Sequence, residues 1–388
     1  MRPPKLRAYL VVEAALIFVI GGCGGSDSTV TRTSGDAPAA PPVLQLSSDA
    51  TLRREDFVTP EREQWRQGIL KTPRPKPTGC FHASYPDTDW TETSCVTVPP
   101  KPQRHAGPRP ETVGVNVDFE LSSSSSPITA AEGSFPSVHG VRETDSFGFT
   151  DIYSLQLNTN RFASPAACRG ATDPRCVAWQ QFIYSDGTGT DDLAGFGTVY
   201  MQYWLINYGA ACPSGYFASG GDDCFTNSDA TGVDTAYPVS DLPRMTFTAT
   251  AGAQDTVAIS TENGVWMRSN GSVLGLGTAN PRPWNSAEFN IFGDGEGTQA
   301  VFDGGAIVTV RTAVTNQTRS SPSFVRESET GETNNLTLVP NSACPIGGTS
   351  LTDLNHSPAI QFVETNASGV TAPFCLVRDI TPIVTLAR

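Results

Sequence analysis

From Val113 to Arg388, apolar and polar residues alternate in short runs that Gly, Asn, Asp and Pro interrupt repeatedly. A period of two sends successive side chains to opposite faces of a strand, so such runs suit half-buried strands and not helices. VGVNVDFE, DIYSLQLNT, VAWQQFIY, TVYMQYWLIN, MTFTAT, DTVAIST, NGVWMRS, SAEFNIF, AIVTVRTAV, NNLTLV, IQFVET and FCLVR all read this way. The 36 glycines and 30 prolines supply the turns between them. The pattern predicts an all-β domain over residues 113–388, an antiparallel β-sandwich or jelly roll. A chain of 388 residues is long enough to bury one large core of this kind.

Nine cysteines divide into one near the N-terminus and eight downstream. Eight admit 105 connectivities, but their clustering favours Cys80–Cys95, Cys168–Cys176, Cys212–Cys224 and Cys344–Cys375. Each pair closes a short loop, worth about 3 kcal/mol when the loop is near fifteen residues. Zinc would need C-x₂₋₄-C spacings or histidines at matching offsets. Neither occurs, and His82, His105, His139 and His356 are scattered. The expectation is a disulfide-braced domain in an oxidising compartment, with no metal and no cofactor.

Arg2, Lys5 and Arg7 precede an apolar run, Ala8 to Ile20, that is shorter than the roughly 20 residues of a membrane span. Ile20-Gly21-Gly22-Cys23 resembles a bacterial lipobox, so residues 1–22 read as a lipoprotein signal peptide and Cys23 as the lipidated residue. Residues 23–50 are rich in Ser, Thr, Pro, Ala and Gly and read as a flexible tether. Gly24 after the cysteine favours an outer-membrane destination in a Gram-negative cell. The expected location is therefore the cell envelope, lipid-anchored, or the exterior if the chain is simply secreted. Residues 51–112 read as an N-terminal extension. It carries a short helix at Pro60–Trp65 and the Cys80–Cys95 loop between proline-rich segments.

The chain carries 26 Lys and Arg against 39 Asp and Glu, for a formal net charge of −13. Loss of residues 1–22 would remove three basic residues and one acidic one. Such a surface repels phosphate backbones, which excludes nucleic acid as a partner. There is no GxSxG elbow, no HExxH and no GxxxxGK[ST]. Ser185–Asp192 is acidic and glycine-rich, but it lacks an EF-hand's terminal Glu and reads as a solvated hairpin loop.

Two strands carry polar residues on faces worth attention. In Val199–Ile206, Tyr200, Gln202, Trp204 and Ile206 share one side, opposite Val199, Met201, Tyr203 and Leu205. In Ser286–Phe292, Ala287, Phe289 and Ile291 form the apolar face, while Ser286, Glu288 and Asn290 form a polar one. Gln202 and Glu288 can meet on one face of a curved sheet.

Several phrases resemble the glutamic peptidases of the eqolisin family, acid-acting secreted endopeptidases with a curved, concanavalin-like β-sandwich. Gly133-Ser134-Phe135-Pro136-Ser137-Val138 resembles the family's early Gly-x-Phe-x-Val-Pro strand. Trp179–Gly187 is similar to its Trp…Asp-Gly strand. Thr198–Gln202 is similar to the segment with its catalytic glutamine, and Ala287-Glu288-Phe289 to the Ala-Glu-Trp segment with its catalytic glutamate. The 86 residues between Gln202 and Glu288 are also close to the family's separation. Phe289 stands where the family has tryptophan. The resemblance covers residues 130–315. It implies that Glu288 activates a water at acidic pH, suited to a glutamate's ordinary value near 4.3. Gln202 would hold that water and the oxyanion, while Tyr200, Trp204 and Trp179 line a peptide groove. CFHASYP, YSLQLNTN, MQYWLIN, AEFNIFGDG and TGETNNL resemble a second group, secreted bacterial and fungal proteins to which no activity attaches. The same aromatic and amide residues would also suit a lectin-like module binding a glycan, and a structural envelope lipoprotein is a third reading.

Overall fold

The computed structural model describes residues 50–371, apart from 102–112, 115–116, 124–125, 143, 147–148, 151, 188–195, 210, 296, 317–322, 326–327 and 347–356. Residues 1–49 with Cys23, the Asp191-Asp192 end of the acidic loop, and Cys375 with its FCLVR run lie outside the described residues. Among the described residues no helix is long and apolar enough to cross a membrane.

The architecture is an all-β sandwich of two large sheets. One sheet runs Thr337–Leu338, Ala359–Thr365, Ile307–Asn316, Ile128–His139, Thr246–Thr250, Gln254–Ser260, Gly264–Gly271, Gly79–Ser84 and Thr91–Thr93 in spatial order. The other runs Phe217–Ser219, Asp223–Asn227, Gly197–Ile206, Val177–Asp186, Tyr153–Thr159, Ser286–Phe292, Glu120–Ser122 and Ser323–Val325. Neighbours along both sequences pair antiparallel, as the alternation predicts. Leu155, Leu157, Phe182, Met201, Tyr203, Phe289 and Ile291 face Ala131, Phe135, Phe247, Val257, Ile259, Val310 and Phe362 in one shared core. The Phe289 ring lies 5.3 Å from Phe135 and 6.3 Å from Phe247. It packs against Gly133, where an added Cβ would meet the ring at 2.1 Å, so only glycine fits there.

Residues 51–101 are built into the sandwich. Thr51–Arg53 pairs with Ile128–His139, and Gly79–Ser84 extends the first sheet beside Gly264–Gly271. The helix runs Pro60–Lys71, longer than the Pro60–Trp65 turn expected, with Thr59 accepting from the Arg62 amide as its N-cap. Ile69 and the partly buried Trp65 and Leu70 pack on Phe81, Ala83, Ala258, Val265 and Met267, covering the outer face of the first sheet. Beneath the helix, Arg66 pairs with Glu132 at 2.9 Å, and Arg311 approaches the same carboxylate at 3.7 Å.

Three of the four predicted disulfides are described: Cys80–Cys95, Cys168–Cys176 and Cys212–Cys224. Cys344 is also disulfide-bonded. Such bonds form and persist in an oxidising compartment, the exterior or the cell envelope. Of the strand expected over residues 113–120, only Glu120 is in a strand among the described residues. Gly114 and Val117 exchange both backbone hydrogen bonds, and Gly114 has φ +94°, a conformation that suits glycine and not an extended strand.

Candidate functional site

Sequence alternation on five adjacent strands of the second sheet builds one polar row. Asn227 stands opposite Gln202, Gln202 opposite Gln181, Gln181 opposite Asn158, and Asn158 opposite Glu288. Directly paired residues share a face, so all five side chains project away from the core. Gln202 and Glu288 therefore share a face and a row. They are not neighbours: three strand spacings, about 14 Å, separate them.

Hydrogen bonds join the row end to end. Asn158 Nδ2 donates to Glu288 Oε2 at 2.8 Å, and Gln181 Nε2 donates to Asn158 Oδ1 at 3.1 Å. The Trp204 indole N–H is shared by Gln181 Oε1 and Gln202 Oε1, each at 2.8 Å. Gln202 Nε2 donates to Asn227 Oδ1 at 2.8 Å and to the Lys101 carbonyl at 2.9 Å. Asn227 Nδ2 in turn donates to the Pro99 carbonyl at 3.1 Å. Gln181 donates to Asn158 and Asn158 to Glu288, a sequence that favours the carboxylate form, while both amides also donate to Gln156 Oε1 at 3.1 and 3.4 Å.

The segment Val96–Lys101 forms a strap over this face. It begins where Cys95–Val96 pairs with Ala230–Thr231, and Val98 packs on Ile183, Tyr200 and Ala230. Lys101 Nζ then pairs with Asp294 at 2.7 Å. Tyr200, Trp204 and Trp179 all lie on the polar face beside Gln202 and are buried. Trp204 stacks on Phe225 with 5.1 Å between centroids, and Trp179 donates its N–H to the Thr159 carbonyl at 2.8 Å. Trp204 thus orients two amides, while Tyr200 floors the strap.

Glu288 is fully buried and accepts from Asn158, from the Ser328 hydroxyl and from the Glu329 amide. Burial pushes its carboxyl up to about 7, against the lowering effect of those donors. The acidic range implied by an exposed glutamate does not describe this environment. Further buried carboxyls stand near this end of the row, among them Glu120, directly opposite Glu288 on the neighbouring strand. Asn290, on the polar face of the Glu288 strand, donates to Asp118 and to Glu364 Oε2 at 3.1 Å. Burial, and then the charges of Glu288 and Glu364, raise Asp118 well above its ordinary value. Burial likewise lifts Glu332 to about 7 and Glu364 to about 8. Among the described residues no group of acidic, His or Cys side chains is arranged to hold a metal.

These raised carboxyls tie stability to pH. Folded, Glu332 and Glu364 keep their protons to about 7 and about 8, whereas the ordinary glutamate value is 4.5. Their stabilising contribution is complete below the unfolded value and is lost as pH rises through the folded ones. The thermal midpoint is expected to fall between pH 5 and pH 8, by on the order of 5 °C. A midpoint that is flat or rises over this interval, in a calorimetric scan, would contradict the assignment.

Sequence reasoning pointed to Gln202, Glu288, Tyr200, Trp204 and Trp179 but passed over Asn158, Gln181, Asn227, Lys101 and Asp294. The signal for two of these was present: Ser154, Gln156 and Asn158 alternate with Leu155 and Leu157, and Gln181 follows Trp179 at the strand period. No protein-family model matches the chain, and no curated protein is similar enough to it to suggest an assignment.

Proposed function

We propose that the chain is a secreted, lipid-anchored hydrolase of peptide bonds, related to the glutamic peptidases, with Glu288 as general base. The observation that carries this reading is the peptide backbone already held on the polar face. The carbonyls of Pro99 and Lys101 accept from the carboxamides of Asn227 and Gln202. A face that grips peptide carbonyls and ends on a buried glutamate suits peptide hydrolysis. In the proposed reaction, the Glu288 carboxylate takes a proton from water as the water oxygen attacks the scissile carbonyl. The proton then passes to the leaving amine. Asn158, bonded to Glu288, is the amide nearest the reacting water and supplies the oxyanion donor. Gln202, farther along the row, anchors the substrate backbone, and Tyr200 takes an apolar substrate side chain where Val98 now packs.

The pH dependence follows from burial of the base. The carboxylate form of Glu288 increases as pH rises through about 7, so activity is expected to rise over the same interval. A peptide library digested from pH 4 to 9 by the wild type and by Lys101→Met, which loosens the strap, tests this. Cleavage by neither protein at any pH would retire the hydrolase.

The anchoring half of the proposal rests on the lipobox-like Ile20–Cys23 and the glycine-rich residues after it. Mass spectrometry of the mature N-terminus is expected to find diacylglycerol on Cys23. An unmodified terminus at another residue would remove the anchor from the reading.

A further inference from the structure

We propose that Asp294 is the recognition carboxylate of this groove, selecting a Lys or Arg side chain on the bound peptide, with Lys101 as its resident occupant. The inference rests on the peptide-groove reading above and adds the substrate class.

Asp294 follows the Ser286–Phe292 strand in a tight turn. A Cβ on the preceding Gly293 would meet Thr298 at 2.4 Å, so the backbone that aims Asp294 is closely packed. The carboxylate is 1% exposed, whereas the Lys101 side chain that reaches it is 28% exposed. Asp294 Oδ1 accepts from the Ser185 hydroxyl at 2.8 Å, and Oδ2 accepts from Lys101 Nζ at 2.7 Å. The acid thus belongs to the sheet's own framework, and the cation arrives from outside on the strap. A buried carboxylate matched to an incoming ammonium discriminates strongly, because a neutral side chain removes the ion pair and leaves the desolvation.

Backbone and side chain are read together on one residue. The Lys101 carbonyl accepts from Gln202 while its ammonium meets Asp294. A peptide whose basic residue presents its carbonyl to Gln202 reproduces both contacts. The strap also shows what precedes that residue: Pro99 on Asn227 and Val98 on Tyr200 and Ile183. The class of ligand is therefore a peptide with an apolar residue three positions before a Lys or Arg.

The test uses the full chain carrying Lys101→Met and Glu288→Gln, so that the groove is accessible and the probe is not cut. Two labelled peptides, Val-Thr-Val-Pro-Pro-Lys and its norleucine analogue, are titrated by fluorescence anisotropy. The lysine peptide is expected to bind at least about 30-fold more tightly. Adding Asp294→Asn is expected to abolish the preference. Equal affinity for the two peptides, or binding of neither, overturns the proposal. If the triple variant does not fold, the comparison of the two peptides on the double variant decides alone. A lysine preference without cleavage by any active-site-intact form would keep the recognition site and retire the hydrolase. Cleavage with no preference for basic residues would do the reverse.

Discussion

Glu288→Gln is expected to lower peptide cleavage by roughly 10²- to 10⁴-fold, the usual contribution of a positioned general base. The substitution is nearly isosteric, and its one remaining oxygen can still accept from Asn158; the new amide NH2 then faces Ser328, whose hydroxyl can turn to accept from it. It removes the capacity to take a proton and exchanges one acceptor for a donor. The limb of the pH profile that rises through about 7 should vanish with it, since that limb reports this carboxyl. Single-turnover cleavage of a fluorogenic peptide by both proteins, with circular dichroism to verify the fold, provides the measurement. Equal rates would show that Glu288 is not the base.

The largest effect on stability is expected at Glu132. Its carboxylate is 2% exposed and meets Arg66 at 2.9 Å and Arg311 at 3.7 Å. Arg54 lies in the same network; burial, and then the charge of Arg66, bring it down to about 10. Glu132→Gln leaves these buried guanidiniums one negative charge short, a defect that costs about 3–5 kcal/mol in comparable sites. Glu63→Gln is expected to cost less, because the Glu63 side chain is 19% exposed and water can compensate. Urea titration of both variants reads the difference. A loss at Glu132 below that at Glu63 would mean that the network does not hold the helix to the sheet.

The faces of individual strands were legible because a strand's period is local. Phe289 and Ile291 turn inward and Glu288 turns outward as the alternation of SAEFNIF requires, and the two faces of TVYMQYWLIN separate in the same way. Three cysteine pairs were legible because each closes a loop of 8 to 15 residues, for which proximity in sequence is a fair guide. What could not be read is non-local. Alternation says that Gln202 leaves the core, but not that Val98 and Lys101, a hundred residues earlier, lie over it. Spacing in sequence likewise gave no sign that Gln181 and Asn158 fill the row between Gln202 and Glu288. The proline-rich VPPK reads in sequence only as a flank of the Cys80–Cys95 loop, yet it meets both the amide row and Asp294.

The strap is covalently part of the protein whose groove it fills, and Cys95 at its start is tied to Cys80 on the opposite sheet. It therefore competes at an effective concentration set by a short tether, on the order of millimolar or above, and dilution does not weaken it. Any peptide in solution sees its affinity reduced by the fraction of molecules whose groove is open. A peptide joined to the protein's surface, or held beside it at the membrane, escapes that handicap. Lipid anchoring would thus bias the groove toward ligands confined to the same surface.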